Sequence, residues 1–282
     1  MKNILVPTDF SAASYTALQY AADLAEQQRA QLVLLHVFQK SIYWFDTPSE
    51  ILQKEGACRS ESQRKLEALQ NSPALSGRHL NITSRVRNGQ AANVISETIL
   101  ELNSLMVVMG SPLNQPATTG FTQTIPTEVI EKTSCPVLVI PPGVPYRPIR
   151  HIVLAIGYHD SDLLHTIELS QIASLFEADI TLLHIAEATP AVSGHSLEQL
   201  RTKACTHTRY DQVHTLLLEG GDFIRQLDQY AEQRDTDLIV MASKHRSALG
   251  KVYGYSFTKE MMLRTKWPLL VYKAFDLESF PY

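Results

Sequence analysis

The sequence predicts an α/β protein of two tandem domains, each built on a five-stranded, parallel, doubly wound sheet, and three observations carry that expectation. At 282 residues the chain is long enough for two domains of about 140 residues, each with its own core. Its second half repeats the first. Within each half, short β-branched and leucine-rich runs alternate with longer amphipathic segments, the pattern of parallel strands joined by crossover helices.

The repeat is legible residue by residue. Ile4-Leu5-Val6 aligns with Ile152-Val153-Leu154, and the same offset carries Leu34-Leu35-His36-Val37 onto Leu182-Leu183-His184-Ile185. Under a shorter offset, Gly89 aligns with Gly221, Met106-Val107-Val108-Met109 with Leu238-Ile239-Val240-Met241, and Pro136-Val137-Leu138-Val139 with Pro268-Leu269-Leu270-Val271. One deletion between Val37 and Gly89, in the first copy's frame, accounts for the change. The join falls in Pro141-Pro142-Gly143-Val144-Pro145-Tyr146-Arg147-Pro148, which neither a helix nor a central strand tolerates, so the domains are expected at 1–146 and 147–282.

In the first copy the expected strands are Asn3 to Pro7, Gln31 to Phe38, Leu80 to Val86, Leu105 to Met109 and Val137 to Ile140, read as apolar on both faces because helices cover both. A helix follows Asp9-Phe10-Ser11, where Asp9 or Ser11 can cap the free amides, and it aligns Ala17, Tyr20, Ala21, Leu24 and Ala25 on one stripe. Later helices fit Glu50 to Gln70, Ala92 to Leu102 and Thr122 to Thr133. The second copy repeats the series, with strands near Ile152 to Ile156, Ile180 to Ile185, Val213 to Leu218, Leu238 to Met241 and Leu269 to Tyr272, and with Asp222 as the expected cap of its third helix.

Composition narrows the function classes. With 25 Lys and Arg against 29 Asp and Glu, a formal charge of -4 and no face-forming basic run, nucleic acid is not an expected partner. No apolar run approaches the ~20 residues of a membrane span. The chain enters a strand at Ile4-Leu5-Val6-Pro7 with no long apolar leader before it, so a cytoplasmic location is expected. Cys58, Cys135 and Cys205 are far apart without ligand spacing and read as reduced thiols.

Five ordered features give the chain a family resemblance: Lys2-Asn3-Ile4-Leu5-Val6-Pro7-Thr8-Asp9-Phe10-Ser11; the strand end Leu35-His36-Val37; Gly89 ahead of the third helix; Val107-Val108-Met109-Gly110-Ser111; and the closing Glu128 to Ile140. Together they resemble the universal stress protein family in its tandem form, and the resemblance covers nearly the whole chain. It implies a Rossmann-like, adenine nucleotide alpha hydrolase-like fold with a ligand crevice outside the carboxyl ends of strands one and four. In the first copy Thr8, Asp9 and Phe10 would wall that crevice on one side, and Gly110, Ser111 and the loop to Thr124 on the other. Nucleotide-binding members resemble G-x-x-G-x9-G-[ST] here, because glycines let backbone amides approach phosphates and the hydroxyl completes the cradle at a helix start.

The chain departs from that motif. The first copy places Gly110, Leu113, Gln123 and Thr124 on it, and the second places Ala242, His245, Tyr255 and Ser256. Each replaced glycine adds a Cβ where backbone should meet an anion. Losing two or three charge-assisted contacts, at about 1.5 to 3 kcal/mol each, lowers affinity by roughly 10² to 10⁶-fold. Asp9 stands where ATP-binding relatives keep an acidic residue near ribose or metal, whereas the second copy has Gly157; capping is the simpler role for Asp9.

Other clusters have bland readings beside sharper ones. Lys244, His245 and Arg246 at the second crevice could hold an anion through side chains, or form a solvated loop. His36 and His184 match, but no second ligand lies at metal spacing, and a strand-end imidazole bonded to backbone explains both. The segment from Phe38 to Glu50, with Tyr43, Trp44 and Phe45, could form a lid, a partner patch or a loop tucked on its own domain. No nucleophile elbow, Walker loop or kinase set is present.

The expected function is therefore a non-catalytic binding or regulatory module of the stress response, with no cofactor and an unknown small ligand or protein partner. The alternative is an adenine-nucleotide sensor that binds ATP with magnesium through Thr8, Asp9, Val37, Gly110, Ser111 and Thr124, with slow hydrolysis as its enzymatic extension. The two repeats are expected to pack as an intramolecular pseudo-dimer through their last strands, and homodimerisation of whole chains is left open.

Overall fold

The computed structural model describes residues 2–39, 47–111, 124–157, 161–186, 194–243 and 253–273. The chain divides into two compact units, Met1–Tyr146 and Arg147–Tyr282.

The first unit runs β1 (Asn3–Pro7), α1 (Ala12–Gln28), β2 (Gln31–Phe38), α2 (Pro48–Gln70), β3 (Ile82–Asn88), α3 (Ala91–Leu102), β4 (Met106–Gly110), α4 (Ile125–Lys132) and β5 (Val137–Ile140). Its strand order is β3-β2-β1-β4-β5, with every pair parallel. Right-handed crossovers then place α1 and α2 on one face and α3 and α4 on the other. The second unit repeats this with β6 (His151–Ala155), α5 (Ser161–Phe176), β7 (Asp179–Ala186), α6 (Gly194–Thr208), β8 (Val213–Glu219), α7 (Phe223–Gln233), β9 (Leu238–Ser243), α8 (Tyr253–Arg264) and β10 (Leu269–Lys273), in the order β8-β7-β6-β9-β10.

The central strands are buried on both sides: Ile4, Leu5, Val6, Val107 and Val108 in the first unit, and Ile152, Val153, Ile239 and Val240 in the second, have almost no exposed surface. Each such side chain contributes about 1.5 to 3 kcal/mol by leaving water. The α1 stripe behaves as its spacing predicts, with Ala17, Tyr20, Ala21, Leu24 and Ala25 all buried. Strand β3 does not follow the expectation of two apolar faces. It is an edge strand, half-exposed along most of its length, and it carries Arg85 and Arg87, both paired to Glu101 of α3. Charge on an edge discourages pairing with foreign strands.

Both copies need a glycine at the turn into their third helix. Gly89 has φ 148° and Gly221 has φ 91°, and a Cβ on Gly89 would lie 2.7 Å from Cγ2 of Val94. Beyond that turn Asp222 caps α7 as its sequence predicts, its carboxylate accepting from Arg225 N at 2.9 Å.

Candidate functional site

In the first unit β1 sits between β2 and β4, so the chain leaves it toward opposite faces at the carboxyl end, which is the switch point where open α/β sheets take ligands. Thr8 follows β1 and is buried. Its N–H donates to Leu35 O (2.8 Å), its Oγ1 accepts from Phe10 N (3.0 Å) and pairs with Ser14 Oγ (3.0 Å), and its carbonyl accepts from Nδ1 of His36 (2.7 Å). Phe10, at φ 64°, takes a left-handed conformation that a bulky residue adopts only under constraint. The constraint is visible: its ring lies 4.4 Å from the His36 ring, with the Lys65 ammonium 5.7 Å above it.

Ser11, not Asp9, caps α1, its hydroxyl accepting from Ser14 N at 3.2 Å. The exposed Asp9 carboxylate instead closes the preceding turn by accepting from Ser11 N at 3.0 Å, which corrects the capping role expected for it. Burial pushes the Asp9 carboxyl up, but hydrogen bonds from the Ser11 hydroxyl and amide, from Ser14 and from its own amide outweigh that and hold it below its ordinary value. It is an anion at the crevice mouth at neutral pH.

Across the crevice, Gly110 ends β4. A Cβ there would lie 2.5 Å from the carbonyl carbon and oxygen of Ala13, so the first turn of α1 fills the space behind it. The glycine retained from the phosphate motif is thus required by helix-to-strand packing, whatever binds in front. Ser111 is buried, its N–H donating to Ile140 O at 2.8 Å, and Val37, near the end of β2, is half-buried.

Thr124 is the N-cap of α4 and shares a reciprocal capping box with Thr127: Thr124 N donates to Thr127 Oγ1 (2.9 Å) while Thr127 N donates to Thr124 Oγ1 (3.4 Å). Pro126 between them has no N–H. Of the amides at this helix start, at most that of Ile125 is left to meet an anion. The T-x-x-T spacing and Pro126 were readable in the sequence as the signal for this arrangement. The expected helix from 122 shortens accordingly to Ile125–Lys132.

The second crevice keeps the scaffold and changes the chemistry. Ile156 replaces Thr8; its N–H donates to Leu183 O (2.9 Å) and its carbonyl accepts from His184 Nδ1 (2.9 Å). Gly157 replaces Asp9, and Ala242, near the end of β9, carries the Cβ that Gly110 lacks. Helix α8 begins at Tyr253, so Ser256 stands inside its first turn instead of at its cap, and the match with Thr124 fails there. Lys244, His245 and Arg246 lie outside the described residues, as do Leu113, Gln123 and the aromatic run Tyr43 to Phe45. His36 and His184 do the same work, each fixing the carbonyl that follows the first strand of its unit. Among the described residues no three His, Cys, Asp or Glu side chains form a group able to hold a metal ion, and no helix is long and apolar enough to cross a membrane.

Comparison with known proteins fits this geometry. A universal stress protein of Synechocystis sp. is 32% identical over 141 residues, which cover 50% of this chain and 85% of that protein. The crystal structure of a universal stress protein from Archaeoglobus fulgidus superposes with a TM-score of 0.73 at 14% identity, covering 96% of this chain and 98% of its own. A solved structure from Pseudomonas aeruginosa gives 0.54 at 16% identity, covering 97% and 94%. At these identities the two structures speak for the fold. The profile of the universal stress protein family itself matches twice, over residues 1–141 and 148–273, and with both halves of the chain accounted for in this way the protein belongs to that family, in its tandem form.

Proposed function

We propose that the protein is a non-catalytic binding or regulatory module of the stress response whose crevices no longer hold a nucleoside triphosphate. The start of α4 carries this reading: the Thr124–Thr127 capping box and Pro126 use up or remove the amides that would grip a phosphate. The second repeat lacks the carboxylate and all three motif glycines, so it is the weaker nucleotide site of the two. Isothermal titration of the full chain with ATP and magnesium tests the reading. No saturable heat up to millimolar ATP is expected; saturable binding in the micromolar range overturns it.

A second reading rests on Asp9, an exposed carboxylate held ionised at the mouth of the first crevice. With Thr8, Val37, Gly110, Ser111 and Thr124 it would serve an adenine-nucleotide sensor, with magnesium at Asp9 and slow hydrolysis as the extension. Phosphate release that vanishes in Asp9→Ala would favour this reading over the first.

In either case the repeats are taken to pair through their last strands, Val137 to Ile140 and Leu269 to Tyr272, apolar runs at the end of each unit's strand order of a kind that is an aggregation hazard when left uncovered. A cytoplasmic location and an unidentified small ligand or protein partner complete the proposal. Nucleic acid is not among the partners it foresees.

A further inference from the structure

The second unit has a groove of about 560 Å³ at the amino ends of β6, β7 and β8, the opposite end of the sheet from the crevice. Asp179, the first residue of β7, is among its lining residues. His151 of β6 brings Nδ1 to 3.8 Å from one carboxylate oxygen, and His214 of β8 brings Nε2 to 3.5 Å from the other. Both separations exceed a good hydrogen bond. Sheet register places Asn3, Gln31 and Thr83 at the matching positions of the first unit. There Gln31 Nε2 donates to Thr83 Oγ1 (3.3 Å) and Asn3 Nδ2 to Leu102 O (2.7 Å), while Asn3 Oδ1 is buried without a partner, so a neutral trio stands where the second unit has a carboxylate between two imidazoles.

Three further observations set the ligand chemistry. In a parallel α/β unit the helices end where the strands begin, so this end of the sheet carries the negative poles of the helix dipoles; α7 terminates in the groove wall at Gln233. The charge of Asp179 is felt by its neighbours: the Tyr210 phenol is pushed up by burial first and by Asp179 second. Thr236, only 5% exposed, is among the residues lining the groove, and its buried hydroxyl oxygen has no hydrogen-bond partner. Arg234 and Asp235, also among the groove's lining residues, are both exposed. A carboxylate flanked by imidazoles and set beside apolar lining residues suits a cation carried on an aliphatic chain.

We infer that this groove binds a small aliphatic amine in its ammonium form, with Asp179 as counter-ion, the Thr236 hydroxyl and the two imidazoles accepting its N–H groups, and Val153 and Leu216 beside its chain. The inference is independent of the nucleotide reading.

The test is titration calorimetry of the full chain with cadaverine, using 1,5-pentanediol as the uncharged match, sodium phosphate as the anion and zinc chloride as the metal. Cadaverine is expected to bind saturably and the diol not to. Asp179→Asn, which keeps the shape, should lower affinity at least tenfold; Thr236→Val should lower it several-fold, and Gln31→Ala in the first unit should leave it unchanged. If circular dichroism shows Asp179→Asn misfolded, Thr236→Val and His214→Leu carry the comparison. Equal binding of diol and amine, phosphate binding in place of the amine, amine binding insensitive to these substitutions, or zinc held by His151 and His214 that excludes cadaverine would each overturn the proposal.

Discussion

The two crevices are built on one backbone frame and furnished differently. In both, the amide after the first strand bonds to the second strand and a strand-two imidazole fixes the following carbonyl, at Thr8 with His36 and at Ile156 with His184. The first crevice then adds a hydroxyl ladder of Thr8, Ser11 and Ser14 and an ionised Asp9, where the second has Ile156 and Gly157. What the repeats share holds the fold, and what they do not share is the ligand chemistry. One fold can thus carry two differently furnished crevices.

The largest expected effect separates the strand-four residues. Gly110→Ala forces a Cβ to within 2.5 Å of Ala13 backbone and should cost about 1 to 3 kcal/mol, read as a fall in the urea midpoint. The reverse exchange in the second unit, Ala242→Gly, meets no such clash and should cost only about 0.5 to 1 kcal/mol of backbone entropy. Equal losses at both sites would mean that Gly110 is not held by packing, and would return it to the phosphate cradle.

A smaller difference is expected from the shared imidazoles. His36→Leu and His184→Leu each leave a carbonyl without its donor, at about 1 to 3 kcal/mol for a buried group. His184 is buried and His36 half-buried, so water can replace the first unit's lost donor more readily, and His184→Leu should lower the thermal midpoint more. The opposite order would indicate that the Phe10 ring packed on His36 contributes more than the hydrogen bond does.

The fold was legible because the signals that specify it are local or repeated. Buried strands announce themselves as apolar runs, and Gly89 and Gly221 recur because one turn geometry recurs. Element ends were less legible: β3 begins at Ile82 and not at Leu80, since the register with β2 decides where pairing starts. The site was readable in residue type but not in role. Gly110 resembles a phosphate contact until Ala13, distant in sequence, is seen behind it, and Thr124 resembles a ligand hydroxyl until Thr127 is seen to share it. Asp9 or Ser11 could each have capped α1, and only the path of the turn assigns the cap to Ser11. The groove at Asp179 is not legible in the sequence because it joins the starts of three strands that only sheet register brings together.

The smallest effect sharpens the comparison at Asp9, which has no counterpart in the second unit. Its carboxyl lies below the ordinary value of 3.8, so the folded state favours the ionised form. A carboxyl depressed on folding stabilises at pH above its unfolded value, and the contribution disappears as pH falls through the lower, folded one. Asp9→Asn keeps an oxygen to accept from Ser11 N but removes the charge. The wild type should therefore unfold at slightly higher urea than Asp9→Asn at pH 7, and the two midpoints should converge as the pH falls through the ordinary carboxyl value and below it. Because Asp9 is exposed and solvent screens it, the gap at pH 7 should be small and should shrink further in high salt. A gap that persists unchanged at low pH would show that the turn depends on the side chain's shape and not on its ionisation, and would remove the electrostatic argument for a cation or ribose at that place.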